Sequence, residues 1–168
     1  MTRYLLDSNI YLNFYERYYQ LNVFPTFWSS FVPIINAYVD IPKIVLEENH
    51  QSPWFSEWVN ENYKLPVINH KTYVAEWGNI MNHIHLHDCY KDSALSSDRG
   101  WGNEKIADPW IIAIAQKENL TIVTDEKKNP NLSNINPSKA AKIPDVCADL
   151  GIRCITMNQF FQEIQLVI

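Results

Sequence analysis

One helix followed by a strand, near the middle of the chain, constrains the fold more than any other feature. Residues 108–118 carry apolar side chains at helical spacing, and residues 120–123 form a short apolar run that ends in Thr124, Asp125 and Glu126. A helix joined to a strand by a short turn at Asn119 is half of a crossover between parallel strands. The unit therefore predicts an α/β fold.

The rest of the chain repeats this alternation of strands and helices. Residues 4–6 form an apolar run that ends abruptly in polar residues, as buried parallel strands do. Further helices are predicted over residues 11–19, 44–49, 53–58, 73–84 and 143–150 and around Phe160, further strands over 65–68 and 154–156, and loops over 93–103 and 127–142. The pattern predicts one domain over residues 1–168, with a mainly parallel sheet covered on both faces.

Cysteine usage and hydropathy indicate the compartment. The three cysteines, Cys89, Cys147 and Cys154, are an odd number without the spacing of a zinc ribbon, which favours reduced thiols. Residues 1–10 lack the apolar core of a signal peptide, and no run of about 18 apolar residues could span a membrane. We expect a soluble, cytoplasmic protein without a membrane partner.

Acidic side chains follow two of the predicted strands. Asp7 comes directly after the first strand, and Asp125 and Glu126 come after the strand at 120–123. Ligands of open parallel sheets bind outside the carboxyl ends of the strands, so these acids are expected at one edge. Asp108 at the start of a helix and Glu48 in an earlier helix could join them. Such a cluster suits Mg²⁺ or Mn²⁺, which can activate water and neutralise phosphate oxygens.

The formal net charge of −5 is evidence against simple nucleic-acid binding, which needs a basic surface. Metal ions held by the acids would reverse the local sign and reduce this objection. The loop at 127–142 also contains lysines and no acidic residue. Its lysines, which either contact an RNA backbone or are simply solvated, are Lys127, Lys128, Lys139 and Lys142.

Four motifs resemble PIN domains in their order and spacing: YLLDSN around residue 7, IPKIVLEE, ADPWIIAIA and TIVTDE. More specifically, IPKIVLEE, KIADPWIIAIA and KIPDVCADLGIRCITMNQFF resemble the PIN-related family called DUF4411 over nearly the whole chain. The resemblance implies a three-layer α/β/α sandwich with a central parallel sheet, and a ribonuclease that depends on Mg²⁺ or Mn²⁺. It further implies a toxin of a toxin–antitoxin pair, an antitoxin protein as partner, and a homodimer.

The resemblance also assigns site residues by position. The first three acids of the PIN pattern fall on Asp7, Glu48 and Asp108, with Glu47 as the adjacent alternative to Glu48. The fourth, usually an aspartate two residues after a threonine, falls on Glu126, with Asp125 as its alternative. The expected metal ligands are Asp7, Glu48, Asp108, Asp125 and Glu126. Asn9 and Thr124 would support them through hydrogen bonds.

Structural interpretations compete with this assignment at each residue. Asp108 and Pro109 form a typical N-cap and first helical residue, and Asp7 alone could be a turn former. Glu47, Glu48 and Glu126 could be solvated. A haloacid-dehalogenase-like phosphatase would also begin with a strand and an aspartate, but it would carry a second aspartate where this chain has Asn9. A non-catalytic PIN-like interaction or RNA-binding module is the other alternative, because Glu126 replaces the expected aspartate.

Two further groups of residues have both a functional and a structural interpretation. His83 and His87 lie one helical turn apart and could share a metal, whereas His85 faces away from them; surface or capping histidines are the expectation. Aromatic residues in the first third of the chain form either a partner surface or core: Tyr11, Tyr15, Tyr18, Tyr19, Trp28, Trp54 and Trp58.

Overall fold

The computed structural model describes all 168 residues and contains one small parallel sheet. Its strands are β1 (Tyr4–Leu6), β2 (Thr121–Val123) and β3 (Cys154–Ile155), in the order β1-β2-β3. Leu5 lies opposite Ile122, which in turn lies opposite Cys154. Almost every strand residue is buried, as expected when helices cover a sheet. The prediction of an α/β fold with a parallel sheet is confirmed.

Nine α-helices surround this sheet. They are α1 (Ser8–Leu12), α2 (Pro25–Tyr38), α3 (Lys43–Glu48), α4 (Pro53–Asn62), α5 (Val74–Leu86), α6 (Ser93–Ser96), α7 (Ala107–Glu118), α8 (Ile143–Leu150) and α9 (Met157–Glu163). The chain continues α1 as a π-helical segment, Asn13–Tyr18, and precedes α5 with a 3₁₀ turn, His70–Tyr73. Helix α7 packs against α3, α5, α8 and β2, so it lies at the centre of the fold.

The start of α7 differs from the sequence prediction. Its N-cap is Ile106 and its first residue is Ala107, so Asp108 and Pro109 are the second and third helical residues. The prediction of Asp108 as the N-cap was therefore wrong. The physical reason is that the cap of α7 comes from another helix, because Glu48 Oε1 accepts the Ala107 N–H at 2.7 Å. Asp108 is thus free of that capping bond.

Three other element predictions were incomplete or wrong. Residues 65–68 do not form a strand; only Ile68 makes a bridge, to Pro42, before Asn69 caps the 3₁₀ turn. Helix α2 was not predicted, because Pro33 interrupts its pattern and no polar cap marks its start at Pro25. Helix α6 forms inside the expected loop at 93–103. The loop at 127–142 contains no helix or strand, as predicted.

A single cluster of 39 buried apolar residues forms the core. Three of the seven aromatic residues in question, Tyr11, Trp28 and Trp58, belong to it. Another three, Tyr15, Tyr19 and Trp54, are partly buried and pack against it, whereas Tyr18 is 53% exposed. These aromatics therefore mainly join α1, the π-helical segment, α2 and α4 to one another. No helix combines the length and the apolar character that a membrane crossing needs.

Candidate functional site at the carboxyl edge of the sheet

Asp7 lies at the carboxyl end of β1, where the strand turns directly into α1. Its backbone N–H donates to Val123 O at 2.9 Å, which extends the pairing with β2 by one residue. The side chain is only 2% exposed, and its Oδ2 accepts from Thr124 Oγ1 at 3.0 Å. Its Oδ1 is buried without any hydrogen-bond partner. An orphaned carboxylate oxygen at this depth needs a partner that the protein does not supply.

Burial and neighbouring acids raise the pKa of Asp7 to about 6. Desolvation is the largest cause, and the negative charges of Glu126 and Glu48 add to it, while the hydrogen bond from Thr124 acts in the opposite direction. The pKa of Asp108 is raised well above its usual range for the same reason, with Asp7, Glu126 and Glu48 as its charged neighbours. Four acids from distant parts of the sequence therefore interact electrostatically at one edge.

Glu126 completes this group and pairs with a positively charged side chain, that of Lys142. Its Oε1 accepts from Lys142 Nζ at 2.8 Å, and its Oε2 accepts the N–H of Ile143, the first residue of α8, at 2.8 Å. Its own N–H donates to Thr124 Oγ1, so Thr124 links Glu126 to Asp7. The positive charge of Lys142 also lowers the pKa of Asp108, which opposes the raising effects of burial and of the neighbouring acids. Lys142 thus pairs with Glu126 and acts on Asp108 as well.

The structure separates the two members of each adjacent acidic pair. Asp125 accepts from Met157 N–H at 3.0 Å and from Asn13 Nδ2 at 3.3 Å, so it binds the start of α9. Glu47 lies on the exposed side of α3 and pairs with Lys43 at 3.7 Å. Neither residue is among the main causes of the raised pKa of Asp7 or of Asp108. The edge cluster, as we call it below, consists of Asp7, Glu48, Asp108 and Glu126.

The edge cluster fits a hard divalent cation. It offers carboxylate oxygens, an excess of negative charge and the orphaned Asp7 Oδ1, and Mg²⁺ or Mn²⁺ is held by a few carboxylates with several retained waters. No three of these four acids bring their ligand atoms within 4.8 Å of one another, whereas His83, His87 and Asp149 do so elsewhere in the protein. An ion bound here without a shift of these side chains would therefore have few protein ligands and several waters.

A cleft of about 970 Å³ opens beside the edge cluster. Glu48 lies in its wall together with Asn9, Tyr15, Trp54 and Arg99, and Arg99 is its one cationic side chain. The side chain of Asn9 is exposed in this wall and makes no hydrogen bond to Asp7; the Asn9 backbone N–H has only a minor lowering effect on the pKa of Asp7 and leaves Oδ1 without a partner. Thr124 hydrogen-bonds directly to Asp7. The side chain of Asn9, predicted to support the site in the same way, makes no hydrogen bond to Asp7.

The predicted basic loop divides into two parts. Lys142 is half-buried against Glu126 and belongs to the edge cluster's surroundings. Lys127, Lys128 and Lys139 are exposed, and no hydrogen bond or ion pair engages their ammonium groups. The loop is anchored instead by Asp145, whose Oδ2 accepts the Asn129 N–H at 2.9 Å. Three cations of this loop are therefore exposed on the surface.

Sequence reasoning missed residues that hold the site in place. Buried Asn49, which ends α3, accepts from Tyr15 OH at 2.8 Å and donates to Val45 O at 2.8 Å. Asn13 connects Asp125 to Arg17. Nothing in the local sequence marks an asparagine as buried, so only its position after Glu48 could have suggested Asn49. Arg99 was not identified as a candidate site residue, because it lies in a segment predicted to be a loop.

Fold and site together define the class: an α/β protein with a parallel sheet whose carboxyl edge gathers four acidic side chains. Residues 4–168 match the model of the family described as "Domain of unknown function (DUF4411)". The chain belongs to this family, which confirms the resemblance to DUF4411 seen in the sequence. Neither the curated proteins nor the solved structures gave a match.

Proposed function

We propose that this protein is a divalent-metal-dependent endoribonuclease of PIN-like type that hydrolyses RNA phosphodiester bonds. The observation that carries the proposal is the edge cluster: four acids from distant segments share one edge, Lys142 pairs with only one of them, and a buried Asp7 oxygen has no partner. Capping of helix starts would explain the positions of Glu48 and Glu126. It does not explain why Asp7 and Asp108 are held beside them at raised pKa.

Asp7, Glu48, Asp108 and Glu126 would hold the ion, which we propose to be Mg²⁺ or Mn²⁺. When bound, such an ion supplies an activated water and neutralises charge on the scissile phosphate. Thr124 fixes the Asp7 carboxylate through its hydroxyl hydrogen bond, and the Ala107 N–H fixes that of Glu48. Burial and the charges of Asp7, Glu126 and Glu48 raise the pKa of Asp108, so binding of a cation here would be coupled to release of protons.

The surroundings of the edge cluster support RNA as the substrate. Arg99 in the cleft and the exposed Lys127, Lys128 and Lys139 offer cations to a phosphate backbone without selecting a sequence. Tyr15 and Trp54 present aromatic surface in the same cleft, which suits unpaired bases. A haloacid-dehalogenase-like phosphatase is disfavoured, since exposed Asn9 stands where its second aspartate would be needed.

The finer points implied by the PIN resemblance belong to the same proposal. They are a three-layer α/β/α sandwich, a cytoplasmic toxin, an antitoxin protein as partner, and assembly as a homodimer. Support for the architecture comes from a parallel sheet enclosed by helices, with α7 packed between β2 and α5. Support for the partners is the resemblance alone.

Purified protein incubated with mixed single-stranded and structured RNA, in Mn²⁺, Mg²⁺ or EDTA, tests the function. The variants are Asp7→Asn and Asp108→Asn, with Asp92→Asn as the matched control because Asp92 is exposed and makes no side-chain cap. We expect metal-dependent cutting by the wild type and the control. Each site variant should lose about a hundredfold or more.

Two results would contradict the proposal. Cutting that survives in EDTA, or in both site variants, would exclude the edge cluster as the centre. Absence of cutting for every RNA, together with no heat of Mn²⁺ binding by calorimetry, would favour the interaction-module alternative. Far-ultraviolet circular dichroism of each variant verifies that the fold is retained.

A further inference from the structure

A second group of metal-binding residues lies away from the edge cluster, at the end of α5. His83 and His87 point their Nε2 atoms at the same carboxylate oxygen, Asp149 Oδ2, at 3.2 Å and 3.3 Å. All three ligand atoms lie within 4.8 Å of one another. His85, which the helix turns away from them, is exposed and takes no part. Two imidazole nitrogens therefore converge on one carboxylate oxygen.

The spacing of these atoms matches a small tetrahedral ion. Zinc bonds to histidine nitrogen and carboxylate oxygen are about 2.0–2.1 Å long, so adjacent ligand atoms of a tetrahedral site lie about 3.3 Å apart. The two nitrogen–oxygen separations, 3.2 Å and 3.3 Å, agree with this value. The His83 and His87 rings are 5.5 Å apart between centroids, which leaves their nitrogens close enough to converge.

The surroundings also favour a cation here. Asp149 lies in the last turn of α8, where the helix dipole adds negative potential. The ring of Tyr90 packs on His87 at 5.1 Å, and its hydroxyl is buried without a hydrogen-bond partner. Each histidine and the aspartate is about one quarter to one third exposed, so an ion can enter from solvent.

We propose that His83, His87 and Asp149 form a second metal site that takes Zn²⁺ with two nitrogens and one oxygen. A water would complete the tetrahedron, because the protein offers three ligands. The bound ion would join the end of α5 to the end of α8. Imidazole ligands select Zn²⁺ over Mg²⁺, so this site and the edge cluster differ in the ion that they prefer.

One hydrogen bond must change when the ion binds. The Cys89 N–H donates to His87 Nδ1 at 3.2 Å, so the neutral His87 ring carries its proton on Nε2, facing Asp149. Binding through Nε2 places that proton on Nδ1 instead. The turn at residues 88–89 therefore has to shift, and the Cys89 amide becomes a specific reporter of metal binding.

The proposal is tested by titrating the full chain with Zn²⁺, followed by calorimetry and by ¹⁵N nuclear magnetic resonance. Excess Mg²⁺ is present throughout, so that it occupies carboxylate sites that prefer hard cations. The variants are His83→Gln, His87→Gln and Asp149→Asn, with His85→Gln as the matched control on the same helix. Wild type and control should bind one Zn²⁺ at this site and shift the Cys89 amide. Each ligand variant should weaken binding by at least about tenfold.

Three outcomes would overturn the inference. They are an absence of Zn²⁺ binding in excess Mg²⁺, equal binding by His85→Gln and His87→Gln, and a Cys89 amide that does not move. Asp108→Asn, titrated in parallel, separates the two sites. Loss of the Zn²⁺ signal in that variant would assign the ion to the edge cluster, whereas retention, with RNA cutting abolished, would place it at the histidines.

Discussion

Asp7 shows how one buried carboxyl group makes stability depend on pH. Its pKa is about 6 in the folded protein against an ordinary 3.8, so the folded state holds the proton more tightly than the unfolded state. For a raised carboxyl pKa, stability is highest below about pH 4 and falls as the pH rises through 6. At pH 8 the ionised Asp7 costs the metal-free protein roughly 3 kcal/mol.

Asp7→Asn should therefore stabilise the metal-free protein at pH 8 and have almost no effect at pH 4. Urea unfolding in EDTA at the two pH values measures the difference. Addition of Mg²⁺ at pH 8 should stabilise the wild type and leave the variant nearly unchanged, because the ion needs the carboxylate. A variant less stable than the wild type in EDTA at pH 8 would show that the Asp7 charge is already compensated within the protein.

Asp125 and Glu126 allow a second test, because they are adjacent but make different contacts. Glu126→Gln should reduce RNA cutting by about a hundredfold or more, since it removes one charge of the edge cluster. Asp125→Asn should leave cutting intact and cost about 0.3–1 kcal/mol, because its carboxylate accepts from Met157 at the start of α9. Cleavage assays and urea unfolding of both variants check this. The reverse pattern would assign the site to Asp125.

These adjacent pairs mark what sequence can and cannot decide at the residue scale. The order of acids after apolar strands predicted an acidic edge, and the structure brings Asp7 and Glu126 together there. Successive side chains near a strand end point in different directions, so spacing alone left the choice between Asp125 and Glu126 open. The three-dimensional contacts of Asn13, Lys142 and the start of α9 make that choice.

Helices α3 and α7 are joined by the bond from Ala107 N–H to Glu48 Oε1. Glu48→Ala should cost about 1–2 kcal/mol, because it leaves the start of α7 without its cap, and should also reduce cutting. Glu47→Ala, one residue away, should cost less than about 0.5 kcal/mol, because it removes only an exposed pair with Lys43. Thermal unfolding of the two variants makes the comparison. Equal costs would mean that the cap does not couple the helices.

The same bond explains where element prediction failed. The local sequence offered Asp108 and Pro109 as a helix start, since an N-cap is expected within the segment itself. The cap comes instead from a residue 59 positions away in the chain, which no local pattern contains. Helix α2 was missed for a different reason: its stability comes from aromatic packing of Phe27, Trp28 and Phe31, not from propensity or caps.

At the scale of the whole molecule, the proposed function requires an acidic protein to bind a negatively charged polymer. The formal net charge of −5 repels RNA at long range, whereas the exposed lysines of the 127–142 loop attract it near the edge cluster. Affinity should thus require both the divalent ion and these lysines. The Asp108→Asn variant, expected not to cut, allows equilibrium binding to be measured by fluorescence anisotropy across a series of KCl concentrations.

In that background we expect the triple change Lys127→Gln, Lys128→Gln and Lys139→Gln to weaken binding of single-stranded RNA and to flatten its salt dependence. Each lost phosphate contact lowers the slope of log K against log salt by about 0.7, so three contacts remove about 2. The control changes Lys43, Lys64 and Lys117 to glutamine, which alters the net charge equally at exposed sites elsewhere. Equal effects of the two triple variants would mean that RNA responds to total charge alone, and that this loop is not part of the binding surface.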